Sequence, residues 1–354
     1  MELRKNKVLL GLSGGVDSAT AALLLKEKGC EVVGYYFDVK GKNEAGRASA
    51  EDVAKQLNIP LIYEDVSTDF REIVIENFIT EYLHGRTPNP CVLCNPNIKF
   101  KRLIRHADEI GAYYIATGHY CRILRDETRQ LSYIRRAVND QKDQSYMLYR
   151  LGQDVLSRLI FPLGEFRSKE KTREVARDGK LSNADKKDSQ EICFLPDGDY
   201  VSFIEKYATS LPPRGDMLFE DGIKIGKHEG IYRYTIGQRK GLGSFGKPVF
   251  VRNIDARNNT VTIGDDLYTN VVFTENFTNT CSLPVSFPIE VTVKIRSRAK
   301  EAPAVAEPFG NGLKIIFSEP QRAVTPGQSA VLYKDDVVVG GGIIKSTEGD
   351  CHEI

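Results

Sequence analysis

Two rhythms of apolar and polar positions alternate over the first 120 residues. An apolar run at Lys7–Leu12 reads as a strand. Asp17–Lys28, closed by Gly29, reads as a helix, because glycine readily takes the left-handed conformation that ends helices. Glu31–Phe37 predicts a second strand, Ala45–Leu57 a helix ending before Ile59-Pro60, and Leu61–Val66 a third strand. Asp69–Leu83 places Phe70, Val74, Phe78 and Tyr82 on one helical stripe. Tyr113–Thr117 predicts a fourth strand. The expected fold class is therefore α/β, a parallel sheet with helices on its faces and ligands beyond the carboxyl ends of its strands.

The second half follows a different pattern. Residues 140–205 remain partly helical but are rich in charge and loop signals. Leu211-Pro212-Pro213-Arg214-Gly215 reads as a linker. After it, Ile289, Val291, Val293 and Ile295 alternate with Glu290, Thr292, Lys294 and Arg296, a half-buried strand with the polar set facing water. Leu313–Phe317 and Ser329–Lys334 are strands, and Asp335-Asp336 turns the chain into a further one at Val337–Ile344. A chain of 354 residues exceeds one comfortable core. The expected division is a catalytic domain over 1–205, a small β-rich domain over 206–275 and a β-barrel over 276–354.

Charge adds a local feature. Lys+Arg is 49 against 48 Asp+Glu, a net charge of +1. That excludes a uniformly basic coat. Residues 86–187, however, hold 21 basic against 12 acidic residues, so one stretch can meet a polyanion. The charged segment Met1–Lys7 runs straight into Val8–Leu10 with no secretory leader, and no apolar run approaches the ~18 residues of a membrane span. The chain reads as cytoplasmic, without a membrane partner, its seven cysteines reduced.

The strongest chemical signal is Gly11-Leu12-Ser13-Gly14-Gly15-Val16-Asp17-Ser18, between the first strand and the first helix. Small residues there let backbone N–H groups converge on an anion at a helix N-terminus. No lysine follows the second glycine, so this is not the GxxxxGK[ST] loop, nor is it GxGxxG. A second signal is Thr87-Pro88-Asn89-Pro90-Cys91-Val92-Leu93-Cys94-Asn95, a proline-stiffened loop with two thiols three apart. One pair lacks the partners of a structural zinc knuckle unless Cys193 and His119 join it. A thioredoxin-like redox pair is the other reading of the same spacing. Cys193 follows Lys186 and Lys187, cations that favour a thiolate if they fold towards it.

The glycine-rich loop resembles the pyrophosphate loop of the ATP-pyrophosphatase (PP-loop) superfamily, which splits ATP to adenylate an oxygen of a substrate. The whole chain is similar to the tRNA-specific 2-thiouridylase family. The resemblance rests on Gly85–Pro90, Leu93–Asn95, Ile98–Phe100, Tyr114–Tyr120, Lys142–Tyr146, Thr235–Gly243, Thr325–Val331 and Gly340–Ile344, in that order. It implies exchange of the 2-oxygen of a wobble uridine (position 34) for sulfur, with release of AMP and pyrophosphate. It implies ATP and Mg²⁺, a tRNA with a wobble uridine, and a protein that donates persulfide or sulfide. Residue by residue, Cys94 matches the nucleophile and Cys193 the persulfide carrier. Asp17 matches a catalytic carboxylate that helps place Mg²⁺, with capping of the first helix as the other reading of the same residue. Gly11, Leu12, Ser13, Gly14, Gly15, Val16, Asp17, Ser18, Phe37 and Gly118 match ATP contacts. Asn89, Pro90 and Cys91 match the loop at the target base. His119, Lys142, Asp143, Gln144, Arg296, Ser297 and Gln328 match tRNA contacts. The target base is expected to flip out of its loop, with Tyr113, Tyr114 and Tyr120 interleaved for stacking.

Two departures stand out. Position 91, usually acidic in the family, is Cys91, and the segment Asp38–Gly46 is short and lacks the Trp and Cys often found there. Three thiolates can hold a [4Fe–4S] cluster with one iron open, so Cys91, Cys94 and Cys193 are candidate cluster ligands, as in other PP-loop tRNA thiolases. The competing functions are such a cluster-dependent thiolase, a PP-loop amide-forming ligase, which has no use for two thiols beside an adenylate, and a non-catalytic RNA-binding module.

Overall fold

The computed structural model describes residues 4–186, 192–195 and 198–348. Its first strands are β1 (Arg4–Gly11), β2 (Glu31–Asp38), β3 (Leu61–Asp65) and β4 (Ala112–Thr117), followed by a hairpin of β5 (Arg122–Asp126) and β6 (Leu131–Arg135) and a short β7 (Leu159–Ile160). The parallel sheet runs β3-β2-β1-β4-β7. Near-continuous apolar runs in β1 and β2 fit a sheet covered on both faces. One face packs Leu9, Val33 and Ile115 against Phe100, Leu103 and the Tyr146–Leu151 region. The other packs Val8, Leu10 and Val32 against α1 (Val16–Glu27), α2 (Glu44–Gln56) and α5 (Lys169–Asp178).

The two helical runs between β3 and β4, here α3 (67–83) and α4 (90–109), each contain a π segment, Arg71–Ile75 and Asn95–Lys99. Both run through without a break in helicity. Such bulges frequently mark functional sites. α4 begins with Pro90 at its first position, where the missing N–H costs nothing. α6 (Tyr200–Tyr207) closes a separate aromatic core with Phe70, Phe78, Tyr82 and Phe194.

After residue 211 the regular structure is strand, apart from a 3-10 turn at Ile231–Arg233. β8 (Gly215–Phe219), β9 (Lys224–His228), β10 (Phe250–Asp255) and β11 (Thr260–Gly264) form one sheet in the order β10-β11-β8-β9. β12 (Tyr268–Asn279), β13 (Ile289–Lys294), β14 (Ala302–Phe309), β15 (Gly312–Arg322), β16 (Ser329–Lys334) and β17 (Val337–Thr347) follow. Their order β12-β15-β14-β13-β16-β17 is closed by β12–β17 pairing, which makes a six-stranded barrel without edges.

The hairpin β5–β6 extends the barrel's sheet through Val337 and Arg135. Segments that the sequence assigns to the first domain thus add strands to the last. This overturns one expectation: Lys294 does not face water. It is buried, 3.6 Å from Asp143, because the first domain covers that face of β13. Among the described residues no helix is long and apolar enough to cross a membrane.

Candidate active site

The nucleotide end of the site is built at the carboxyl end of β1. Gly15 caps α1 without a side-chain cap, which leaves the first-turn N–H groups to an incoming anion. Ser18 Oγ accepts from the Ser13 N–H at 3.1 Å and donates to Gly15 O at 3.1 Å, so the loop is tied across its own mouth. Gly14 has φ +72°, and a Cβ there would stand 2.6 Å from the Ser49 hydroxyl. Its carbonyl accepts from Ser49 and from Asn183, at 3.1 and 3.0 Å. Gly118, just past β4, lies against the start of α1. A Cβ there would meet Ser18 N at 2.7 Å. This bare backbone cradle fits a pyrophosphate.

Asp17 is engaged in a way its position alone does not reveal. Its Oδ1 accepts from Lys169 Nζ at 2.6 Å and from the Tyr120 hydroxyl at 2.7 Å. A carboxylate held by a buried lysine offers little to Mg²⁺ in this state, and among the described residues no three His, Cys, Asp or Glu converge as metal ligands. Tyr120 is buried, with its hydroxyl also 2.6 Å from Thr172, so it is a brace and not a stacking platform. Tyr113 and Tyr114 lie edge to face, 4.8 Å between centres, under Lys5, Arg158 and Arg125. Phe37, next to last in β2, stacks beside Tyr35. After it, Asp38 accepts three backbone N–H bonds, from Lys40, Gly41 and Asn43, and so folds the short loop that departs from the family pattern.

The thiol end adjoins the nucleotide end through consecutive residues. Gly118 touches α1, and the next residue, His119, lies 3.5 Å from Lys99 of α4. Cys91 and Cys94 stand one turn apart in α4, and Cys94 packs on the core that contains Ile192 and Phe194, which flank Cys193. Burial pushes the Cys94 thiol up to about 12, against the pull of Lys99, and raises Cys91 as well. Cys193 is an exposed residue, yet enough of the fold surrounds its sulfur that desolvation pushes it up to about 11. A cavity of about 680 Å³ borders Phe194 between Lys40, Arg71 and Tyr207; neither the thiols nor the residues of the nucleotide loop line it.

Several expectations change here. Among the described residues no three His, Cys, Asp or Glu form a group that could hold a single metal ion, so Cys91, Cys94 and Cys193 with His119 do not fit a zinc site. Lys186 does not serve Cys193: its ammonium is 2.9 Å from Ser49 Oγ, at the nucleotide loop. Lys187 lies outside the described residues. Asp143 is buried and accepts from Ala137 N and Ser145 Oγ, so it braces the fold and is not open to RNA. Gln144 accepts from the Tyr120 N–H.

Arg296 donates to Ile236 O, Ala323 O and Thr325, joining the central domain to the barrel. Gln328 donates to the carbonyls of Thr87 and Pro88 at 2.8 and 3.3 Å, and so holds the loop that leads to Asn89, Pro90 and Cys91. Ser297 and Lys142 are half-buried. Lys99 and Lys169 were missed. A charged residue between buried Ile98 and Phe100, five after Cys94, is the signal that marks Lys99. A lone lysine after the cap Ser168 carries no signal for Lys169.

Comparison with known proteins decides the family. Over residues 6–197 the chain matches the tRNA methyl transferase HUP domain, over 201–265 the tRNA methyl transferase PRC-barrel domain and over 270–344 the aminomethyltransferase beta-barrel domain. It is 44% identical to the tRNA-specific 2-thiouridylase MnmA of Clostridium acetobutylicum, across 96% of this chain and 99% of the relative. The chain belongs to the tRNA-specific 2-thiouridylase family. MnmA 1 of Caldanaerobacter subterraneus subsp. tengcongensis and MnmA 2 of Clostridium botulinum are each 45% identical, across 96% and 97% of this chain and 98% and 99% of theirs. Among solved structures, the NMN synthetase of Francisella tularensis is 16% identical with a TM-score of 0.34, covering 52% of this chain and 67% of its own.

Proposed function

We propose that this chain is an ATP-dependent tRNA uridine 2-sulfurtransferase acting on a wobble uridine. The observation that carries the reading is the Gly118-His119 step, where one residue abuts the pyrophosphate loop and the next contacts the helix of Cys94. This adjacency supports a reading in which an oxygen adenylated at the loop is attacked by sulfur from the helix of Cys94 and its neighbours. Uridine O2 attacks the α-phosphorus of ATP, the α–β anhydride bond breaks, and pyrophosphate leaves from the cradle formed by Ser13 to Ser18. The N3 proton is lost in the same step. Mg²⁺ arrives with the nucleotide, bound chiefly by its phosphates.

Sulfur then enters from a persulfide on Cys193, supplied by a persulfide donor protein. The terminal sulfur attacks C2 and AMP departs with the original O2, leaving a disulfide between C2 sulfur and Cys193 Sγ. The Cys94 thiolate attacks Cys193 Sγ, that bond breaks, its electron pair goes to the nucleobase sulfur, and N3 is reprotonated to give 2-thiouridine. A Cys94–Cys193 disulfide remains, which a dithiol reductant must open before the next turnover. Exposure of Cys193 suits a thiol that must meet a donor, and partial burial of Cys94 suits one that must not. An amide-forming ligase would leave both thiols without a use.

The test is thiolation of a tRNA transcript bearing uridine at position 34, with ATP, Mg²⁺ and a persulfide donor, read as 2-thiouridine by nucleoside mass spectrometry. The same transcript with cytidine at that position should give none. ATP-dependent pyrophosphate release without any thiolated nucleoside would reject the reading.

A further inference from the structure

The segment Thr235–Gly243 is tied into the central domain at both ends and carries two cations at its tip. Gln238 braces its start: the side chain accepts from the Thr235 N–H at 3.1 Å and donates to Lys240 O at 3.1 Å. Gly237 N and Gln238 O bond to the backbone of Val251 in β10, at 2.8 and 2.9 Å. Leu242 pins the far end, buried in the core with Val249, Val251 and Ile263. Gly241, between tip and anchor, has φ +80°, a conformation that would strain a residue with a side chain. Brace and anchor leave Arg239 and Lys240 between them, and both are exposed.

These two cations stand apart from others in the same domain. Lys224 and Lys227 pair with Asp216, Lys247 with Asp265 and Arg252 with Glu220. Among the described residues neither Arg239 nor Lys240 has a carboxylate partner. Two adjacent like charges left unneutralised repel each other and gain from an anion. Their place in the fold points to which anion. Thr235, at the base of the segment, has its Oγ1 3.4 Å from Thr87 Oγ1, and Arg296 of the barrel donates to Ile236 O at 3.2 Å. Thr87 leads into Asn89, Pro90 and Cys91, matched by resemblance to the loop at the target base. An RNA whose wobble base enters there carries its own phosphates on either side of that base.

We propose that Arg239 and Lys240 form a phosphate clamp for the tRNA backbone beside the target-base loop, with Gln238 and Gly241 as the residues that position it. The clamp meets phosphate charge and reads no base, so it serves orientation and affinity without sequence preference. Arg296 serves it from behind, by fastening Ile236 to the barrel. The proposal rests on the tRNA reading of the function. The deciding measurement is binding without ATP or a sulfur donor, so the two failures are distinguishable. A native chain that binds no tRNA sinks that reading, whereas native binding left unaltered in the variant sinks only the clamp.

The measurement is the affinity of the full chain for a tRNA transcript by filter binding, over about 50–300 mM KCl. The double variant Arg239→Gln, Lys240→Gln should bind about tenfold more weakly near ~150 mM salt, with the slope of log K against log salt smaller by about 1–2. The double variant Arg239→Lys, Lys240→Arg should stay within about twofold of native, since it keeps both charges. Transcripts with uridine or cytidine at position 34 should lose affinity equally. Arg239→Ser with Lys240→Ser replaces the Gln pair if circular dichroism shows that the latter misfolds. Ethylation interference then places the contact: ethylated phosphates flanking position 34 should block native binding, and that interference should vanish in the charge-removing variant. An unchanged salt slope overturns the proposal. So does a loss confined to one transcript, or interference that the variant removes only at phosphates outside the anticodon loop.

Discussion

The pyrophosphate loop and the helix that carries Cys94 both border the residues after β4, and the loop and the thiols are prepared to different degrees. The loop is cross-tied by Ser13 and Ser18, backed by Ser49 and Asn183, and spaced by Gly14 and Gly118, where an added Cβ would collide. It needs only its ligand. The thiols are the reverse. Cys94 and Cys193 are both held protonated by desolvation, and Cys193 sits on a turn at the surface. On the proposed function, the difference implies that the two half-reactions are controlled separately: adenylation is preorganised in the backbone, whereas sulfur transfer waits for a sulfur to be loaded. Uncommitted thiolates beside an electrophilic adenylate would invite side reactions, so holding them back is useful chemistry.

The largest expected effect separates the two halves. Cys94→Ser and Cys193→Ser should each lower tRNA thiolation by about 10³-fold or more, since neither hydroxyl replaces a sulfur in disulfide exchange. A single turnover of ATP-dependent pyrophosphate release on tRNA should survive in both. Loss of pyrophosphate release in the serine variants would break the comparison, because the halves would then not be independent.

Gly118→Ala tests the other side. Its new Cβ would lie 2.7 Å from Ser18 N and 2.8 Å from the Asp17 carbonyl carbon. Overpacking of this kind costs about 1–3 kcal/mol, so ATP should bind about 10–100-fold more weakly in a direct binding assay. Both half-reactions should fall together, unlike in the serine variants.

The same contrast explains what was legible in the sequence. The nucleotide loop is local: strand, glycines and helix are contiguous, so Gly11 to Ser18 and the parallel sheet could be read from spacing. The barrel's alternation was readable as well. What escaped depends on segments far apart in the chain. Lys169 reaches Asp17 across 152 positions, and Lys99 meets His119 across 20. The burial of Lys294 and Asp143 follows from the first domain packing on the barrel, which no periodicity within β13 reveals. The hairpin β5–β6 joins a sheet whose other strands begin more than 130 residues later.

A smaller effect concerns the barrel's hold on the target-base loop. Gln328 donates to Thr87 O and Pro88 O, and Thr87 N donates to Pro326 O at 2.8 Å. Gln328→Ala removes the side-chain half of this latch, worth about 1 kcal/mol, so kcat/KM for tRNA should fall about fivefold while ATP binding is unchanged. A matching loss of ATP affinity would show that the latch also shapes the nucleotide end.

A final effect, on stability more than on rate, lies behind the site, where α4 is fastened to the sheet. Glu64 of β3 takes bonds from Tyr35 and from Arg105 and His106 of α4, at 2.7 and 2.8 Å for the latter two. Burial works against its charge, but these partners win and draw its carboxyl down to about 2. A carboxylate depressed in the folded state adds stability above its unfolded pKa, near 4.5, and loses it as pH falls towards 2. Because the group is partly solvated, the contribution is on the order of 1–2 kcal/mol. Urea midpoints for the native chain should therefore drop between pH 5 and 3 more steeply than those of Glu64→Gln, and the two should converge at the acid end. If α4 needs this anchor to keep Lys99 and Cys94 in place, Glu64→Gln should also slow sulfur transfer at pH 7 while leaving pyrophosphate release intact. Equal slowing of both would mean that the anchor serves the sheet as a whole and that the thiol helix does not depend on it separately.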